Sequence, residues 1–141
     1  MKSPASRFAC ASVLLALSLS VGCETAPERH PKTTKLVVFA PNETAPDVPL
    51  GLVSAVKVVL PGPDAGSDYA WEIGSNNNKV LEQMGLLKTT PAVPPATQPT
   101  TSVSFYSLNP GKSVLRFFLV RPSEQEAVPR ATCEVTVRVT E

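Results

Sequence analysis

Apolar residues fall into two patterns along the chain. The first is an unbroken run of apolar and small residues, "FACASVLLALSLSVG" (Phe8 to Gly22). The second is a series of short stretches in which apolar and polar positions alternate, the period of a half-buried strand. "KLVVFA" (Lys35 to Ala40), "SAVKVVL" (Ser54 to Leu60), "YAWEI" (Tyr69 to Ile73) and "KVLEQMG" (Lys79 to Gly85) each predict a strand. So do "TSVSFYSL" (Thr101 to Leu108), "KSVLRFFLV" (Lys112 to Val120) and "ATCEVTVRVT" (Ala131 to Thr140). Period two puts Val56, Val58 and Leu60 on one face, Val103 with Phe105 on another, and Cys133 with Val135, Val137 and Val139 on a third. The expected core is Val58, Trp71, Phe105, Phe117, Val135 and Val137. Strands between clusters of Pro, Gly, Asn and Ser predict an all-β domain, a sandwich or barrel of about seven strands.

The connections have their own chemistry. "GSNNNK" (Gly74 to Lys79) is a turn, because Gly and Asn tolerate positive φ. "NPGK" (Asn109 to Lys112) reads as a type II turn, with Pro110 at its second position and Gly111 at its third. "KTTPAVPPATQPTT" (Lys88 to Thr101) holds four prolines and predicts a long loop. "NKVLEQMGLLK" (Asn78 to Lys88) also carries helical spacing at Val80, Leu81, Met84 and Leu87. Gly85 interrupts it, which leaves a helix as the weaker alternative there.

The unbroken run follows Lys2 and Arg7 and is too short to span a bilayer comfortably. That is the layout of a signal peptide. It ends in "LSVGC", which resembles the bacterial lipobox at Gly22 and Cys23; Leu19 stands one position before the usual leucine and Ser20 takes its place. The resemblance implies a diacylglyceryl thioether on Cys23, cleavage before it and acylation of the new amino terminus. Several acyl chains hold a protein to a membrane where one does so only marginally. Glu24 in place of Asp implies no retention in the inner membrane. The expected location is therefore the cell envelope, in the outer membrane or a periplasm-facing leaflet. The expected organisation is a lipoprotein signal peptide (1–22), a lipidated tether (23–34) and a β-domain (35–141). The polar tether "ETAPERHPKTT" contains His30, the single histidine, which has no partners in sequence for a metal or catalytic site.

Composition narrows the chemistry. Without Lys2 and Arg7 the 13 basic residues fall to 11 against 12 acidic ones, a net charge of −1 with no charge block. Nucleic acid is not an expected partner, because phosphate neutralisation needs a clustered basic surface. Cys10 leaves with the signal and Cys23 carries lipid, so Cys133 stands alone, with no internal disulfide in the domain and a buried, inert thiol expected. No G-x-S-x-G elbow, H-E-x-x-H helix, glycine-rich phosphate loop or Cys/His cluster is present, so neither an enzyme nor a cofactor is expected. Asp64 and Asp68 could approach a cation, but two carboxylates on one loop fall short of a calcium ligand set and read better as solvated acids. "NET" (Asn42 to Thr44) matches a glycosylation sequon, a pattern common by chance.

With the strands placed, the loops can be read. From about Leu50 to Val139 the chain resembles the chagasin family of cysteine protease inhibitors. One family signature is N-P-T-T-G-Y-x-W. Here the stretch is "DAGSDYAW": Tyr69 and Trp71 match, with Asp64, Ala65 and Asp68 in place of asparagine, proline and glycine. A second is a G-x-x-x-L-R-F-x-x-x-R-P frame followed by tryptophan. Gly111, Leu115, Arg116, Phe117, Arg121 and Pro122 match it, and Ser123 replaces the tryptophan. A third, glycine-rich loop is missing, and the proline-rich segment stands in its place. The resemblance implies an immunoglobulin-like β-sandwich without a disulfide, acting as a monomeric domain. It also implies that loops near Pro61 to Asp68, Lys88 to Thr101 and Arg121 to Arg130 wedge into a papain-like cleft. The implied contact residues are Asp64, Ala65, Gly66, Ser67, Asp68, Tyr69, Arg121, Pro122 and Ser123. Trp71 reads as the buried tryptophan of the sandwich, while Tyr69 divides between core and contact. Arg121 is either an anchor or a surface arginine paired with Glu124 or Glu126. The alternative to an inhibitor is an envelope lipoprotein that uses the same sandwich as a binding, adhesion or scaffold module.

Overall fold

The computed structural model describes residues 29–124 and 128–141. The signal peptide, Cys10, Cys23 and Glu126 lie outside the described residues. The described residues form eight strands: β1 (Thr34–Val38), β2 (Val48–Gly51), β3 (Ala55–Pro61), β4 (Ala70–Ser75), β5 (Leu81–Thr90), β6 (Thr100–Ser107), β7 (Gly111–Val120) and β8 (Ala131–Thr140). They form two four-stranded sheets, ordered β1-β3-β6-β5 and β2-β8-β7-β4. The pairs β1/β3 and β2/β8 are parallel; the others are antiparallel. This is an immunoglobulin-like β-sandwich.

Alternation closes it. In β8, Ala131, Cys133, Val135, Val137 and Val139 are buried while the residues between them reach solvent or its margin. β3 turns Val56, Val58 and Leu60 inward with no exposed area and leaves Lys57 outside. Phe105 of one sheet meets Phe117 of the other edge-on at 6.3 Å between ring centroids, and Phe39 stands 6.4 Å from Phe117 on its other approach. Such ring pairs add to the area they bury. Cys133 is fully buried; its thiol donates to Ala40 O at 3.5 Å, and burial pushes its pKa above the ordinary 9.0.

Several local expectations need correction. The strand β2 escapes the sequence pattern, because "VPLG" is short, does not alternate and contains Pro49. Proline is tolerated there since β2 is an edge strand, and its anchor is the buried Leu50. β5 begins at Leu81, not Lys79, and runs to Thr90, so Lys88 to Thr90, like Thr100 and Thr101, belong to strands and the proline-rich loop is only residues 91–99. No helix forms at Asn78 to Lys88. The helix-like spacing there reflects a β-bulge between Met84 and Lys88, where Gly85 adopts φ +77° and resets which face the chain presents. Gly111 opens β7 at φ +149°, well away from the angle of a type II turn. β4 starts at Ala70, which leaves Tyr69 in the loop.

The strand directions give the sandwich two poles. Connections 39–47, 62–69 and 91–99, with residues 121–124 and 128–130, gather at one, and turns 52–54, 76–80 and 108–110 at the other.

Candidate functional site

The loop pole collects the three segments singled out in sequence, together with the β1–β2 connection. Their joins are specific. Gly62 N donates to Pro99 O at 2.7 Å, stitching the β3–β4 loop to the β5–β6 loop. Only glycine fits there: a Cβ on residue 62 would lie 2.6 Å from the Pro99 carbonyl carbon and 2.7 Å from its oxygen. Trp71, 5% exposed, donates its indole Nε1–H to Pro61 O at 2.7 Å and so ties the start of β4 to the end of β3. A buried indole fills the pole of the core and satisfies its own donor.

The tip of the β3–β4 loop is a tight turn. Ser67 N donates to Asp64 O at 2.9 Å, and Tyr69 N donates to Ser67 Oγ at 3.1 Å. Gly66 takes φ +78° with open space around it. Asp64, Ala65, Gly66 and Asp68 are exposed; Ser67 and Tyr69 are half-buried.

The β3–β4 and β7–β8 loops meet through charge. Arg121 Nε donates to Asp68 Oδ1 at 3.2 Å and its Nη1 to Glu124 Oε1 at 3.0 Å. The hydrogen bond to Glu124, then the charge of Asp68, push the Arg121 pKa further up and keep it cationic. Its guanidinium carbon lies 4.8 Å from the Tyr69 ring centroid, and that of Arg130 lies 5.1 Å from the same ring. Tyr69 is thus the aromatic member of a two-arginine cluster, an arrangement favoured by the ring quadrupole. Pro122 and Ser123 are exposed beside it, in a turn closed by Glu124 N donating to Arg121 O at 3.0 Å. The pairing with Glu124 that the sequence allows is present, and Arg121 also reaches the loop tip through Asp68. No feature of the sequence points to its pairing with Asp68.

Two hollows flank this cluster. One of about 240 Å³ is bounded by Asn42, Tyr69, Trp71 and Arg130. The other, about 590 Å³, is an open groove between Asp64 to Ser67 and the prolines of the β5–β6 loop, Pro91 and Pro99 among them. Sequence reasoning does not single out Asn42, Gly62 or Arg130. In sequence Asn42 stands out only as a sequon. In the fold it sits at φ +57° and accepts from Thr132 N through Oδ1 at 3.0 Å. "PGP" around Gly62 is the available signal for a close backbone approach. Among the described residues no three His, Cys, Asp or Glu side chains converge as a metal site would require, and Asp68 spends its carboxylate on Arg121.

The fold is shared with three solved structures, one of them a cysteine protease inhibitor. The cysteine protease inhibitor EhICP2 of Entamoeba histolytica superposes with a TM-score of 0.59 at 15% identity, over 79% of this chain and 100% of that one. PbICP-C, solved in complex with falcipain-2, gives 0.56 at 16% identity, over 75% and 99%. Amebosin, solved in solution, gives 0.53 at 15% identity, over 79% and 100%. Identity this low speaks for the fold alone. No protein family and no curated protein matches the chain in sequence.

Proposed function

We propose that the chain is a lipid-anchored envelope protein whose sandwich blocks papain-like cysteine proteases through the β3–β4, β5–β6 and β7–β8 loops. The observation that carries this reading is the fastening of those loops to one another at one pole, by Gly62 to Pro99 and by Asp68 and Tyr69 to Arg121. A rigid loop edge loses little entropy when it enters a cleft, which is how preorganised inhibitors bind tightly without large area. The likeness to PbICP-C, captured on falcipain-2, supports a papain-like partner. Cys23 supplies the anchor through its acyl chains, in the outer membrane or a periplasm-facing leaflet.

The test is to titrate residues 24–141 against papain and a cathepsin-type protease. Inhibition at or below micromolar concentration is expected, and its absence sinks the reading. Tyr69→Ala and Arg121→Ala should each weaken inhibition about tenfold or more, as loss of an aromatic or arginine anchor does. Unchanged potency in both would disprove the loop assignment. Cys23→Ser should abolish labelling by a fatty-acid analogue.

One observation favours a second reading. Two of the five N–H donors of Arg121 already serve Asp68 and Glu124 within the molecule, and Ser123 offers no ring beside it. A sandwich so occupied would serve as a binding or scaffold module of the envelope, and it would fail the papain titration while keeping the lipid label.

A further inference from the structure

The chain joins the sandwich at the pole opposite the loops. Arg29 Nη1 pairs with Glu82 Oε2 at 2.7 Å, and its guanidinium carbon lies 5.4 Å from the Tyr106 ring centroid. Glu82 and Tyr106 are register partners near the first turn of β5 and the last of β6, at the turn pole. Lys32 N donates to Val53 O at 2.7 Å and Thr33 Oγ1 to Ser54 Oγ at 2.9 Å. The second half of the tether is therefore fastened to the body. What remains from Cys23 to Arg29 is six residues of chain.

Six residues reach at most about 20 Å. The sandwich is longer than that. The ten residues of β7 alone run from pole to pole, roughly 33 Å at the usual rise of a strand. A lipid on Cys23 cannot then hold the sandwich inverted, loop pole on the membrane and turn pole a full length above it, because the chain would have about two thirds of the reach required.

Charge adds a preferred face to this limit. Lys32, Lys79 and Lys112 are exposed at the turn pole and form no ion pair among the described residues. With Arg29 they stand against Glu82 and Glu141. The loop pole has the reverse balance, Glu43, Asp64, Asp68, Glu72 and Glu124 against Lys88, Arg121 and Arg130. Lysines within a Debye length of an anionic bilayer are drawn to it, and carboxylates are repelled.

We propose that the turn pole is a docking face for an anionic lipid surface, so that the anchored sandwich stands with its four loops pointing away from the bilayer. The inference rests on acylation of Cys23 and is independent of protease inhibition. It is tested with the full lipidated chain in vesicles of phosphatidylethanolamine and phosphatidylglycerol that carry an acceptor dye on their headgroups. A donor dye is placed at Asn78→Cys on the turn pole or at Ala65→Cys on the loop pole; Cys133 is buried and does not compete. Energy transfer should be clearly stronger from position 78. Lys32→Gln, Lys79→Gln and Lys112→Gln together should narrow the difference, as should vesicles of phosphatidylcholine alone. Equal transfer from the two positions, or stronger transfer from 65, overturns the orientation. Failure of the chain to associate with vesicles overturns the anchor, and the orientation with it. A difference that ignores both the lysines and the lipid charge overturns the docking face.

Discussion

At the scale of single residues, two buried groups govern the loop pole and the core. Trp71 both fills space and donates to Pro61 O. Trp71→Phe keeps most of the ring but strands that carbonyl, so a loss of about 1–3 kcal/mol is expected from urea denaturation. A loss no larger than a surface substitution gives would show that the indole hydrogen bond is incidental. Cys133 makes a prediction about pH. Its folded pKa is raised by burial above 9.0, so the folded state holds the proton where the unfolded chain gives it up. The stabilisation is complete below pH 9 and is lost as pH rises through the interval up to the folded value. Denaturation midpoints should therefore fall above pH 9, and Cys133→Ala should remove that part of the fall while lowering stability overall. Thiol reagents should label Cys133 only on unfolding. Burial of Cys133 and Trp71 is legible from alternation and from the "YAWEI" stretch. The Asp68–Arg121 pair is not: the partners are 53 positions apart, and each looks in sequence like an ordinary solvated charge.

At the scale of elements, close approach decides more than propensity. Gly62→Ala would drive a Cβ to 2.6 Å from the Pro99 backbone, where no flexible side chain can give way. The β3–β4 and β5–β6 loops must then separate, with a loss of about 1–3 kcal/mol and weaker inhibition. Gly66→Ala is the control. Its Cβ meets nothing, and only the φ of +78° is strained, at about 1 kcal/mol. If the two variants behave alike in both assays, the stitch between the loops does not matter. The same reasoning explains Gly74 in β4, which lies against the Phe118 ring with no room for a side chain, next to a register shift between Ile73 and Ser75. Apart from β2, which the pattern misses, the element least legible in sequence is β5. Its bulge at Gly85 breaks the period of two, and a broken period of two looks helical over a short window.

At the scale of the molecule, the fold is built from pairings between distant segments: β1 with β3, β3 with β6, β2 with β8. Loop closure must precede the contacts that reward it, so refolding in milliseconds to seconds is expected from stopped-flow fluorescence of Trp71, the single tryptophan. Microsecond folding would contradict this picture. Phe117 joins the sheets through Phe105 and Phe39. Phe117→Ala should cost about 3–5 kcal/mol in urea denaturation and lower the stability of both sheets together, because neither sheet has another core to close on. Circular dichroism and Trp71 fluorescence should therefore report one midpoint in that variant.

Alternation is a local property, readable in a short window of chain. By itself the amino-acid sequence therefore determined an all-β chain, the inward faces of β3, β6 and β8, and a buried thiol at Cys133. Only the tertiary structure decided which ends of those strands share a pole. That depends on sheet order and strand direction, which no window of sequence contains. It placed Asp68 against Arg121, Gly62 against Pro99, and Arg29 against Glu82 and Tyr106 at the opposite end. A loop's chemistry is written in its own residues. Its neighbours, and the direction it faces, are set by the packing of strands far from it in the chain.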